Sequence, residues 1–240
     1  KECDMASTSE SSFGQRYTKG RELVEYLKLL PTYAPSNTAL ETASLSTLLD
    51  DILTANSDVA SKISTLQTER NARLVMYESQ TGLINKCGQI RDYIASIESA
   101  GKKSVDYKKV QSAVKKMRGK RLTPKPKPTE SQPNPKSSST SEVSFGSVLA
   151  TAFEILEVIK GNALYAPSNA ELTVANFTTF LISIDAKNKL IAQRREQYDD
   201  AVEARLGLYK DLQDRVTKVK LALASQYGKT SNEYLDSVKY

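Results

Sequence analysis

The chain of 240 residues contains no histidine. Histidine is the commonest metal ligand and the usual general base near neutral pH, so its absence excludes ordinary zinc sites and Ser-His-Asp chemistry. A ferritin-like di-iron centre, which needs Glu-x-x-His, is excluded with them. Tryptophan is also missing, and only two cysteines occur, Cys3 and Cys87. That number cannot form a disulfide framework, so both are expected as free thiols, with Cys87 a small buried hydrophobe on a helical stripe. No run of about 18 apolar residues is present, so no membrane-spanning helix is expected. The first residues also lack the basic-then-apolar order of a secretory signal, which makes the cytoplasm the expected location. Glycine-rich phosphate loops are absent in both their common spacings. The adjacent acidic pairs Asp50-Asp51 and Asp199-Asp200 look like helical surface charge. No catalytic, metal-ligating or cofactor-binding residue is nominated, no small-molecule substrate is evident, and a non-enzymatic protein is expected.

What the sequence does contain is a recurrence. Tyr33-Ala34-Pro35-Ser36-Asn37 returns unchanged as Tyr165-Ala166-Pro167-Ser168-Asn169, 132 residues further on. The same offset carries Ser12-Phe13-Gly14 onto Ser144-Phe145-Gly146, and Glu22, Glu25 and Lys28 onto Glu154, Glu157 and Lys160. It also carries Ala72-Arg73-Leu74 and Tyr77 onto Ala204-Arg205-Leu206 and Tyr209. Several separated blocks in one register read as a duplication. Near the tail, Gly101, Ser104 and Tyr107 match Gly228, Ser231 and Tyr234 at an offset of 127, a slip of five residues expected inside a long third helix.

Apolar spacing in each copy is helical. Leu45, Leu48, Leu49 and Ile52 share one face, as do Phe177, Phe180, Leu181 and Ile184. A near-heptad pattern follows over about 40 residues, roughly 60 Å of helix. The Tyr33, Pro35, Ser36 block and its partner Tyr165, Pro167, Ser168 punctuate the chain. Proline disfavours helix before it, and Ser or Asn after it can cap the next helix. Ser168 with Glu171, and Thr38 with Glu41, have capping-box spacing. Gly101 and Gly228 suit the left-handed turn that ends a helix, with a short closing helix after each. Tyr33, Tyr77, Tyr165 and Tyr209 read as core packing with the hydroxyl reaching an edge.

The Tyr-x-Pro-Ser block opening a helix, followed by the Gly-x-x-Ser-x-(Asp/Glu)-Tyr tail, resembles uncharacterised bacterial tandem helical-repeat proteins of the Bacteroidetes type. The residue before the tail glycine is Ala100 in the first copy and Tyr227 in the second. The resemblance covers both repeats and implies a helical bundle; it transfers no active-site residue.

The expected fold is all-α, an elongated helical bundle of two homologous repeats packed with pseudo-twofold symmetry. Its expected parts are a disordered N-terminus at 1–11, repeat 1 at 12–118, a flexible linker at 119–142 rich in Pro, Lys and Ser, and repeat 2 at 143–240. Composition defines the linker, which holds five of the eight prolines. Charge is uneven: Lys102 to Pro128 carries eleven Lys or Arg against the single acid Asp106, in a chain whose net charge is +6. The expected function is therefore a structural or protein-interaction module using long helical surfaces, with a protein partner or self-association. The alternative is electrostatic nucleic-acid binding through Lys102 to Lys127, with Lys115, Lys116, Arg118, Lys120 and Arg121 as the candidate contacts.

Overall fold

In a computed structural model of the chain, the described residues are 10–97, 99–119 and 144–240. The expected N-terminal segment, apart from its last two residues, and the linker beyond Gly119 lie outside them, as do Cys3, Lys120 and Arg121. All regular structure among the described residues is helical. Seven α-helices follow in order: α1 (Glu10–Lys28), α2 (Thr42–Glu78), α3 (Leu83–Ile97), α4 (Val105–Met117), α5 (Phe145–Gly161), α6 (Val174–Tyr227) and α7 (Asn232–Ser237). Short 3-10 turns lie at Thr38–Leu40, Gly101–Lys103 and Ala170–Leu172.

The Tyr-Ala-Pro-Ser-Asn blocks separate α1 from α2 and α5 from α6, each leading into a 3-10 turn. The capping residue is the asparagine. Asn37 accepts from the Ala39 N–H at 3.0 Å and Asn169 from the Glu171 N–H at 3.1 Å. Ser36 and Ser168 stay exposed at the surface. The anticipated Ser168–Glu171 box does not form, because the Glu171 carboxylate is drawn to the Lys86 ammonium instead. Each block's tyrosine turns back to lock the turn: Tyr33 Oη donates to the Leu40 carbonyl at 2.9 Å and Tyr165 Oη to the Leu172 carbonyl at 2.7 Å.

The second helix and the long helix expected after it are one continuous helix in each half of the chain, of 37 residues in α2 and 54 in α6. Nothing between Ile52 and Val59 breaks a helix. In the first half the long helix is then interrupted at 79–82. Gly82 fits this turn for lack of a side chain: a Cβ there would stand 2.9 Å from the Tyr77 carbonyl group. Gly82 N–H donates to the Ser79 carbonyl at 2.9 Å and Asn85 Nδ2 to the same oxygen at 2.9 Å. Beyond it the buried series Leu83, Ile90 and Ile94 corresponds to Leu212, Val219 and Leu223. Three of the five slipped residues therefore sit at this break. The other two lie between Ile94 and Gly101, so the slip is not a lengthening inside one helix.

The tail turns follow the sequence reading. Gly101 (φ 52°) and Gly228 (φ 90°) adopt the left-handed conformation, where glycine carries no steric penalty. Ser104 Oγ then accepts from the Tyr107 N–H at 3.2 Å and Ser231 Oγ from the Tyr234 N–H at 3.1 Å.

Two compact units form, and they do not follow the division at 12–118 and 143–240. One comprises the described residues up to Thr65 with Arg194–Tyr240; the other is Leu66–Gln193. The first unit's core gathers Phe13, Leu23, Leu27, Leu45 and Ile52 with Tyr209, Leu212, Val219 and Leu223. The second gathers Tyr77, Ile90, Val114 and Met117 with Ile155, Phe177 and Leu181. Each unit thus buries apolar faces from both halves of the sequence. That burial is the dominant favourable contribution in water.

Candidate interaction surfaces

A four-residue polar and aromatic cluster occurs in each unit. In the first, the Phe13 ring packs on Tyr209 with centroids 4.7 Å apart, the Arg205 guanidinium lies 4.5 Å over Phe13, and Asn56 Nδ2 donates to Tyr209 Oη at 3.0 Å. In the second, Phe145 packs edge-on against Tyr77 at 4.8 Å and the Arg73 guanidinium lies 3.8 Å over Phe145. Asn188 Nδ2 donates to Tyr77 Oη at 2.9 Å, and that hydroxyl donates to the Phe145 carbonyl at 2.8 Å. Every member of one cluster is 132 positions from its counterpart in the other. Arg73 and Arg205, Phe13 and Phe145 were visible in the recurrence as letters without a role. Asn56 and Asn188 share the offset but stand alone, so only the fold reveals them.

Cation–π attraction holds a guanidinium where hydration is thin. The Arg73 side chain shows the effect of that environment: burial pulls its pKa down, the nearby Tyr77 acts in the opposite sense, and Arg70 adds to the lowering. Burial likewise pushes the Tyr33 hydroxyl up to about 12 and the Tyr77 and Tyr165 hydroxyls upward. The Cys87 thiol is fully buried and is raised by that burial, with Arg118 pulling weakly the other way. A thiol in this setting has no thiolate to react.

Of the candidate nucleic-acid contacts, Lys115, Lys116 and Arg118 belong to α4 and its cap. The helix buries Val110, Ala113, Val114 and Met117 against the core. Lys115 and Lys116 are half-buried and Arg118 is exposed. The structure does not gather them into one isolated basic face. Lys108, Lys109 and Lys116 face Glu154 of α5 across an open cleft of about 470 Å³. Arg118 turns towards α3, its Nη2 3.0 Å from the point where a Cβ on Gly88 would stand.

The first unit carries a smaller groove, of about 180 Å³, between α1 and the C-terminal part of α6. Arg16, Lys19, Gly20, Tyr209, Leu212, Gln213, Val216 and Tyr240 line it. Lys19 Nζ donates to the Lys239 carbonyl at 3.5 Å, and the Tyr240 ring lies 5.8 Å from that of Tyr26.

Among the described residues no three His, Cys, Asp or Glu side chains converge as a metal site. No helix among them is long and apolar enough to cross a membrane. Comparisons with protein-family models, with curated proteins and with solved structures find no match.

Proposed function

We propose that this chain is a structural or protein-interaction module that works through its long helical surfaces and has no catalytic role. The observation that carries the reading is where the recurring chemistry goes. The matched Arg, Tyr and Asn side chains of both clusters contact one another across helices, and where one of them, Tyr209, borders the small groove beside α1, the lining of that groove holds no carboxylate, thiol or serine hydroxyl. On this reading the halves are homologous repeats of the bacterial tandem type noted above, and their outward faces meet a protein partner or a second copy.

Cross-linking the tagged full chain in its native cells at native abundance, with peptide mapping, tests this. Cross-links from helix-face lysines to a defined protein or to a second copy are expected. A chain that stays monomeric and uncross-linked across the whole concentration range argues against it.

The second reading, nucleic-acid binding, draws support from the exposed Lys102, Lys103, Lys108, Lys109 and Arg118 in one stretch of sequence. Replacing Lys115, Lys116, Arg118, Lys120 and Arg121 by Gln should abolish binding to duplex DNA or single-stranded RNA. It should also flatten the salt dependence by about 0.9 log units per lost phosphate contact. Unaltered binding rules the reading out.

A further inference from the structure

The break at 79–82 changes the surroundings of one buried charge. Lys86 lies one turn beyond Gly82 and is only 6% exposed. In the register that matches Leu83 with Leu212, its counterpart in the first unit is Arg215. Arg215 pairs with Asp211, four residues before it, and donates to the Ala39 carbonyl at 3.2 Å. The residue four before Lys86 is Gly82, where the turn leaves no room for a side chain. A buried charge needs a partner, and the Lys86 ammonium finds it off its own helix, at the Glu171 carboxylate, while lying 5.2 Å over the Phe180 ring. The first unit has Ala39 and Leu48 at the positions of Glu171 and Phe180.

These three side chains border an open cleft of about 500 Å³ in the second unit, together with Asn176, Thr179 and Ser183 of α6 and Thr81 of the break. The hydrogen bonds already made decide what the lining offers. Thr179 Oγ1 donates to the Ala175 carbonyl at 3.1 Å, Ser183 Oγ to the Phe180 carbonyl at 2.7 Å, and Asn176 Nδ2 to the Ala170 carbonyl at 2.8 Å. A hydroxyl that has given its proton to its own helix keeps its lone pairs, and an amide bonded through its nitrogen keeps its oxygen. With the second carboxylate oxygen of Glu171, these side chains make the lining rich in acceptors. Its two charges, Lys86 and Glu171, cancel each other, and Phe180 supplies an apolar face.

We propose that this cleft binds a neutral polyhydroxylated ligand, a hexopyranose ring. The ligand's hydroxyls donate to Asn176, Thr179, Ser183 and Glu171, one of its oxygens accepts from Lys86, and its C–H face packs on Phe180. A cationic ligand is repelled by Lys86, and an anionic one gains little from an ammonium that Glu171 already neutralises. Acceptors aimed at hydroxyls also discriminate against a ligand that lacks them, because they would then be left unpaired. A sugar free in solution and the terminal ring of a glycan share this chemistry. The site stands apart from the interaction-module reading, since a sugar needs no protein partner.

The probes are glucose, galactose and mannose, each free and as its methyl glycoside, mixed with the full chain and read by saturation-transfer NMR. At least one should receive saturation, and in the labelled protein the shifts it causes should centre on Thr179, Phe180 and Ser183. The double substitution Thr179→Val with Ser183→Ala removes two acceptors at exposed positions. It should weaken binding about tenfold, with helical content and melting as in the parent. Saturation of none of the six probes, shifts centred elsewhere, or binding indifferent to the double substitution overturns the site. Glucuronate or glucosamine bound more tightly than every neutral probe overturns the ligand class. A free hexose that binds while its methyl glycoside does not identifies the sugar in solution as the ligand. Equal binding of the two, strengthened in the corresponding disaccharide, identifies a glycan end, and either result upholds the site.

Discussion

Tyr77→Phe tests whether the recurring cluster holds the second unit together. The substitution keeps the ring and so leaves no cavity of consequence. What it removes is a hydroxyl that donates to the Phe145 carbonyl at 2.8 Å and accepts from Asn188 at 2.9 Å. The Asn188 Oδ1 is already buried without a hydrogen-bond partner, so its amide has little to fall back on when Nδ2 loses the tyrosine. A net hydrogen bond is worth about 0.5–1.5 kcal/mol, and an abandoned buried group costs about 1–3 kcal/mol. The loss should therefore be about 1.5–3 kcal/mol. Tyr209→Phe in the first unit releases the bond from Asn56 at 3.0 Å, and should cost about 0.5–1.5 kcal/mol. Urea unfolding followed by circular dichroism gives the totals. Native-state hydrogen exchange with peptide resolution shows where each falls, since the two units need not unfold together. A double-mutant cycle of Tyr77→Phe with Asn188→Ala should then show coupling of about 1 kcal/mol. A Tyr77→Phe protein within about 0.5 kcal/mol of the parent, or protection lost equally in both units, refutes the argument.

Other consequences are as direct. Asn37→Ala and Asn169→Ala should each cost about 1 kcal/mol through loss of a cap, while Ser36→Ala and Ser168→Ala fall within about 0.5 kcal/mol, as read by thermal melts. Gly82→Ala should destabilise the turn at 79–82 by more than an ordinary surface change, because its Cβ would meet the Tyr77 carbonyl group at 2.9 Å; chemical denaturation measures it. The Tyr33 hydroxyl, raised to about 12 when folded, keeps its proton to higher pH than it does in the unfolded chain, where it titrates near 10. Its contribution is complete below about pH 10 and is lost as pH rises through about 12, because the unfolded state then binds fewer protons. Tyr33→Phe should make the pH dependence of stability over that window shallower. In a Cys3→Ser background, Cys87 should resist an aromatic disulfide reagent until the protein unfolds; prompt labelling of the native protein would contradict its burial.

Helix boundaries set by local chemistry were legible from the sequence. Pro35 and Pro167 disfavour helix in the preceding residue, and Gly101 and Gly228 favour a left-handed conformation, so backbone sterics marked the stretches between helices, although α1 and α5 end earlier, at Lys28 and Gly161. The break at 79–82 was not legible, because Ser79, Gln80 and Thr81 are tolerated inside helices. Only the crowding of a Cβ at Gly82 against the preceding turn shows what the glycine is for. Nor did apolar periodicity tell which stripe meets which. Leu45 and Ile52 could as well face their own half of the chain as Val219 and Leu223. A stripe of helical period records that a face is buried and carries no address.

Addresses come from side chains that must satisfy direction as well as burial. Phe13 has to meet a ring at Tyr209, and Tyr77 needs both an acceptor at Phe145 and a donor at Asn188. Such geometry permits few partners, which is why the same four residue types reappear at the same offset in both units.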